Sequence, residues 1–401
     1  MAREMKDSGI EWIGNIPAAW KINTIFQFFI QVKNKNTDMQ EQNLLSLSYG
    51  KIKRKNIETT DGLLPESFDG YNIIEADDIV LRLTDLQNDH KSLRVGLATE
   101  RGIVTSAYLT IRNRSESLAK YLYYYLHSFD ISKGFYGMGA GVRQGLNWDG
   151  IKWVKLLTPS LSEQEQIVSF LDVECDRIDA VIEKTRVSIE EYKKLKQAVI
   201  TEAVTKGIRS NCSMKSSEIG WVKELPEDWS VIPAKFLFRN SDARRQEGDE
   251  QMTASQQFGI ITQKQYMELT GSKVVFANKG LEDWKHVEPF DFVISLRSFQ
   301  GGLEMSETTG CITWHYIVLK PCKDVYSYYY KWLFKSELYI KALQRTCNFI
   351  RDGQDLRYSN FVQVPLFEPS LEEQKEIADF LNSKCIEIDR LIITFPTSET
   401  I

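Results

Sequence analysis

Met5-Lys6-x-Ser8-x-Ile10-x-Trp12, followed by Pro17 and Trp20, returns as Met214-Lys215-x-Ser217-x-Ile219-x-Trp221, followed by Pro226 and Trp229, at an offset of 209. A second pair comes in the same order. Pro159-Ser160-Leu161-x-Glu163-Gln164-x2-Ile167-x2-Phe170-Leu171 returns as Pro369-Ser370-Leu371-x-Glu373-Gln374-x2-Ile377-x2-Phe380-Leu381, at an offset of 210. Cys175, Ile178 and Asp179 stay in register with Cys385, Ile388 and Asp389. Two ordered blocks at one spacing predict two copies of a single module. Between the matched ends the copies differ almost everywhere. A duplicated scaffold with two unlike inserts suits a protein that reads two different things.

The second block opens a helix. Ser160 with Glu163 forms a capping box behind Pro159. Leu171, Ile178, Thr185, Tyr192 and Val199 then recur every seven residues, with Val181 and Leu195 between them. Gly207 is a natural stop. A helix over 159–206 spans on the order of 70 Å at 1.5 Å per residue. Its apolar stripe requires a partner helix. The second copy supplies one through Ser370, Glu373, Leu381, Ile388 and Phe395, ending at Pro396. Paired antiparallel, this shorter helix is expected to leave Tyr192, Leu195 and Val199 without an internal partner and free for a subunit contact, together with Leu171, Ile178, Leu381 and Ile388.

The inserts, 18–158 and 227–368, read as α/β. Asp78-Ile79-Val80-Leu81-Arg82-Leu83 and Phe290-Asp291-Phe292-Val293-Ile294-Ser295 have the apolar runs of strands. The tyrosine-rich stretches 121–126 and 328–333 have helical spacing and are expected in the core rather than stacked on bases. The fold class is therefore α+β: two mixed domains with an internal two-fold repeat, joined by long helices that pair as a coiled coil. Its segments are 1–158, a central helix 159–207, 208–368, and a shortened C-terminal helix 369–401.

Composition narrows the class. The 401 residues are 42% hydrophobic and 26% charged, as in ordinary soluble proteins. No apolar run is long enough to span a membrane. The polar start, with Glu4 and Asp7, shows no secretory pattern, so a cytoplasmic location is expected. Six cysteines without a Cys-x-x-Cys pair, and four dispersed histidines, fit neither a zinc site nor a disulfide framework. Matched Cys175 and Cys385 are expected as small seam residues rather than a redox pair. Net charge is −5; residues 159–207 hold −3 and 369–401 hold −4, which leaves +2 for the remainder. The inserts are thus neutral to mildly basic and able to present a phosphate-binding face.

No enzyme motif is present. There is no Asn/Asp-Pro-Pro-Tyr loop for a flipped base and no Gly-x4-Gly-Lys-Ser/Thr phosphate loop. Gly137-x-Gly139-x-Gly141 lacks the strand–helix setting of a cofactor loop. Arg143 and Gln144 on its flank are candidate DNA contacts, as are Arg351 and Gln354 at the corresponding place. Lys51, Lys53, Arg54 and Lys55 form the densest basic run, suited to phosphates. Base readout needs side chains with paired donors and acceptors. Just past the matched strands stand Arg82, Thr84, Gln87 and Asn88 in copy one, and Arg297, Ser298 and Gln300 in copy two.

These motifs resemble a family. Met-Lys-x-Ser-Gly-Ile-Glu-Trp-Ile-Gly-x-Ile-Pro-x-x-Trp at 5–20 is similar to the opening of many specificity subunits of type I restriction–modification systems. The Pro-Ser-Leu-x-Glu-Gln helix starts and Ala203-Val204-Thr205-Lys206-Gly207 resemble that family's conserved spacer regions. The resemblance covers nearly the whole chain. It implies two target recognition domains, each reading half of a split sequence on double-stranded DNA. It implies spacer helices that form an antiparallel coiled coil, on which two modification subunits dock, joined by restriction subunits. Catalysis, with S-adenosylmethionine, ATP and magnesium, would then belong to those partners, and this chain would hold no cofactor. The short second helix departs from the family's two similar spacers. The rival classes are a self-contained methyltransferase or nuclease, and a coiled-coil scaffold that never touches nucleic acid.

Overall fold

A computed structural model describes residues 3–57, 67–139, 145–210, 212–295, 298–346 and 356–395. The chain divides into two compact units, Met1–Ala180 and Val181–Ile401. The central helix, Leu161–Lys206, begins in the first and ends in the second.

The internal repeat holds strand for strand. In the first unit a four-stranded antiparallel sheet runs in the order Phe29–Val32, Leu109–Asn113, Ile79–Leu81, Val95–Leu97. In the second the order is Phe238–Ser241, Ile317–Pro321, Phe292–Ile294, Glu304–Met305. Four two-stranded pairs also recur. One of them in each unit is a hairpin, Leu45–Ser48 with Lys51–Arg54 and Met252–Ser255 with Gly259–Thr262. A helix covers each sheet, Ala119–Ile131 in one and Ser327–Lys335 in the other. Its tyrosines are core: Tyr121, Tyr125, Tyr329 and Tyr330 are buried. The Tyr121 and Tyr330 hydroxyls donate to the carbonyls of Leu157 and Phe367.

The repeated residues repeat because they do the same mechanical work. Lys6 and Lys215 each donate to a carbonyl across the opening hairpin, those of Trp20 and Glu227. Gln164 accepts the Leu118 N–H at 3.0 Å and donates to the Pro159 carbonyl. Gln374 does the same for Tyr326 at 2.8 Å and Pro369. Both amides are buried. Each ties the start of a long helix to the helix on its sheet, satisfying a donor that would otherwise be orphaned at a helix end. Asp78 and Asp291 enter the equivalent strands in the same way. They accept the Glu75 and Glu288 N–H groups and pair with Arg112 and Lys320. Burial raises the Asp291 carboxyl above its ordinary value against the pull of Lys320.

The C-terminal helix, Leu371–Thr394, packs antiparallel on the end of the central helix within the second unit. Arg209 pairs with Glu376, Lys196 reaches both Asp389 oxygens at 2.7 Å, and the Tyr192 ring lies 6.0 Å from Phe395. Ile200, Ala203 and Val204 share one core with Ile377, Ala378, Leu381 and Cys385. This reverses an expectation. The unpartnered seam is not at Tyr192 and Val199, which pack against the C-terminal helix or the core beside it. It is at Ile178 and Val181, 52% and 60% exposed. The reason is direction. An antiparallel partner that starts beside residue 207 and is 24 residues long covers the last half of the central helix, not the first. Leu381 and Ile388 are accordingly buried inside the chain, Leu171 is half-buried, and only Ile178 and Leu195 of the expected contact residues are well exposed.

Gly207 closes the central helix with φ +75 and donates to the Ala203 carbonyl. A Cβ there would sit 2.9 Å from the Glu373 carboxylate. Glycine therefore meets both a backbone need and a close approach.

Candidate nucleic-acid interface

The site of interest is the loop joining the last two strands of each central sheet, residues 82–94 in copy one and 295–303 in copy two. In copy one it carries Arg82, Thr84, Gln87 and Asn88. Thr84, Gln87 and Asn88 are exposed, and Arg82 is half-buried with its guanidinium 3.7 Å from Asp89. The Asn88 amide donates to Asp85, which holds a left-handed φ of 57.

This loop has an interior, and sequence reasoning missed what fills it. Arg94 is fully buried. Its Nε donates to the Tyr136 hydroxyl at 3.0 Å. One terminal nitrogen donates to the carbonyls of Arg82 and Thr84 at 3.0 and 2.8 Å, and the other to those of Asp85 and Asp89. All five guanidinium donors are thereby used. The Tyr136 hydroxyl in turn donates to the Asp89 carbonyl, and Lys133 donates to that of His90. Hydrogen bonds from Ser92 pull the Asp89 carboxyl down to about 2, against its partial burial and helped by Arg94. The available signal was Leu93-Arg94-Val95, a charge one residue before an apolar strand. That pattern occurs on many surfaces, and nothing local tells an inward arginine from an outward one.

The basic run sits on the hairpin beside this loop, whose turn residue Gly50 packs against Leu93. Its four cations are not equivalent. Lys51 pairs with Asp179 of the central helix at 2.5 Å, and Arg54 pairs with Glu100. Lys53 and Lys55 are exposed and make no ion pair among the described residues. Of the four, Lys53 and Lys55 are therefore the cations not already paired with a carboxylate among the described residues.

Copy two builds its loop differently. Ser298 is buried and its hydroxyl accepts the Ser295 N–H at 2.8 Å, so it is a structural cap, not a base-reading residue. Gln300 is exposed and lines a cleft of about 760 Å³ with Gln256, Gln257 and Gln265. The lysines on that cleft are all engaged: Lys196 with Asp389, Lys331 with Glu307, Lys335 with Glu304. The cleft thus offers amides more than net charge, and amides suit base edges rather than phosphates. Arg143, Gln144, Arg297, Arg351 and Gln354 lie outside the described residues. Among the described residues no cluster of His, Cys, Asp or Glu could hold a metal ion, and no helix is long and apolar enough to cross a membrane.

No family model matches the chain. Curated relatives do. It is 25% identical over 402 aligned residues to the Methanocaldococcus jannaschii protein MjaX, named as a type I restriction enzyme specificity subunit, across 94% of this chain and 90% of that one. It is 26% identical over 223 residues to the MjaVIII specificity subunit of the same organism, 55% of this chain and 49% of the other. A solved structure from work on complex assembly and conformational transition of the type I R-M system matches 94% of this chain and 93% of that chain. The TM-score is 0.62 at 14% identity, a likeness of fold. By sequence this chain is similar to one type I restriction enzyme specificity subunit along 94% of its length and to another along 55%, and by fold it matches a solved structure from work on the type I R-M system.

Proposed function

We propose that the chain is the DNA-specificity subunit of a type I restriction–modification complex, each unit reading one half of a bipartite target. One observation carries this: an α+β unit that occurs twice, each copy followed by a long helix, in a chain similar over 94% of its length to a specificity subunit. The unlike loops and hairpins of the two copies are what reading two different half-sites requires. Lys53 and Lys55 would neutralise phosphates, while Thr84, Gln87 and Asn88 in one unit and Gln300 in the other would face bases.

Modification subunits would dock along the helices, and the uncovered seam around Ile178 and Val181 is the natural surface for one of them. Chemistry would rest with partners: methyl transfer with the modification subunits and their S-adenosylmethionine, ATP- and magnesium-dependent cleavage with the restriction subunits. This chain would act in the cytoplasm, hold no cofactor and carry out no catalysis itself.

The test is co-expression with the cognate modification subunit and mapping of methylated sites across a genome. The expected result is one split motif with a fixed gap. A continuous motif would refute the two-half-site reading. Methyl transfer by the purified chain alone would refute the division of labour.

A further inference from the structure

We infer that Arg94 is a positioning residue for base recognition by the first unit: its buried guanidinium clamps the backbone of residues 82–92 so that Thr84, Gln87 and Asn88 present one fixed surface. The inference rests on the reading of that loop as a base-reading element.

The geometry argues for a clamp over a contact. Arg94 has no solvent exposure and no donor left over, so it cannot reach DNA in this arrangement. Four of its five donors end on main-chain carbonyls of the loop it closes. The Asp85 carbonyl also accepts the Asp89 N–H at 3.2 Å and the Asp89 carbonyl the Tyr136 hydroxyl, but the Arg82 and Thr84 carbonyls have Arg94 as their donor, and leaving them unpaired inside the unit is unfavourable. A single rigid fork that satisfies four at once fixes their relative positions. The other ends of the clamp are also anchored. The Arg94 N–H donates to the buried Asp130 at 2.6 Å, and Tyr136, which receives Nε, also holds the Asp89 carbonyl at 3.1 Å. The exposed polar side chains therefore ride on a main chain whose carbonyls are held from within. Discrimination between bases depends on such placement, because a bidentate pair is lost when its donor and acceptor shift together away from the base edge.

The experiment uses the full chain in complex with its modification subunit and duplexes carrying the motif mapped for the wild-type complex. Three duplexes are compared by fluorescence anisotropy: intact, first half substituted, second half substituted. Arg94→Lys keeps the charge but loses the planar fork, and Tyr136→Phe removes one hydroxyl as a milder change. Expected are a fall of about ten- to a hundredfold in discrimination at one half-site for Arg94→Lys, a smaller fall at the same half-site for Tyr136→Phe, and no change at the other. The slope of affinity against salt should stay at the wild-type value, since no phosphate contact is removed. In Arg94→Gln, which removes the charge, a slope reduced by about one would instead mark Arg94 as a phosphate contact and overturn the clamp. Wild-type discrimination in both variants would overturn it as well. The double substitution Gln87→Ala with Asn88→Ala separates the levels. If it changes neither half-site, the loop does not read bases and the clamp has no recognition role. If it abolishes one half-site while Arg94→Lys and Tyr136→Phe do not, the reading stands and the clamp alone is wrong.

Discussion

Arg94 and Gly302 occupy the same place in the two copies. Ile79 and Phe292 are equivalent strand residues, paired with Leu97 and Met305 respectively, and counting back three residues from each partner gives Arg94 and Gly302. One copy has the longest cation there, the other has no side chain at all. The difference follows from loop length. Residues 82–94 make a long excursion with carbonyls turned inward, and a buried guanidinium gathers them. Residues 295–303 are shorter and close through a helical turn at Ser298–Gly301, after which the chain presses straight onto its neighbour. A common frame thus tolerates opposite solutions at one position, provided each satisfies its own main chain. That is how a duplicated scaffold can carry two unrelated recognition surfaces.

Replacing the glycine should have the largest effect. Gly302 has φ +80, and a Cβ on it would lie 2.0 Å from the Phe334 carbonyl oxygen. Neither can be relieved by a side-chain rotation. Gly302→Ala should destabilise the second unit by about 3 kcal/mol or more, summing left-handed strain with displacement of a helix. Urea denaturation followed by tryptophan fluorescence measures it. A loss under 1 kcal/mol would show that the close approach is not what shapes this loop.

The two helices make the second comparison. Their matched seam residues differ in burial although they match in sequence: Ile178 is 52% exposed and Ile388 6%, Cys175 is exposed and Cys385 buried. Burial raises the Cys385 thiol to about 11. Leu381→Ala should cost about 2–5 kcal/mol, because it empties a site shared by both helices. Ile178→Ala should stay within about 0.5 kcal/mol in the isolated chain. Equal losses from the two, in the same urea titration, would mean that the first half of the central helix is covered after all.

Much of this was legible in the sequence. The doubled motifs announced two modules, the heptad stripe and capping boxes announced the long helices, and the tyrosine runs announced core helices. What was misjudged was direction: seven-residue spacing says that a helix needs a partner but not which end the partner covers. Loop interiors were also opaque. Ser298 stands just past the matched strand, the place expected of a base reader, yet its hydroxyl is turned into the fold. Arg94 drew no reading because a single charge beside an apolar strand carries no periodicity. The misreading and the omission share a cause. Pattern resolves elements with a repeating burial phase, and a loop has none.

The smallest expected effect sharpens the loop comparison through pH. Asp89 belongs only to the long loop, where hydrogen bonds from Ser92 and the nearby Arg94 lower its carboxyl from 3.8 to about 2. A carboxyl lowered on folding stabilises the folded state above its unfolded value and loses that contribution as pH falls toward the folded one. Asp89→Asn should therefore destabilise the first unit near neutral pH by about 1 kcal/mol, discounted because the carboxylate is partly solvated. The gap between variant and wild type should hold down to about pH 4 and close as pH approaches about 2. The equivalent stretch of copy two has no such carboxylate among its described residues, so the second unit should show no matching change. Urea midpoints of wild type and Asp89→Asn across pH 2–7 read this directly. A gap that persisted unchanged to pH 2 would mean that Asp89 acts through its hydrogen-bond geometry and not through its charge, and that the long loop is held by the Arg94 fork without electrostatic help from Asp89.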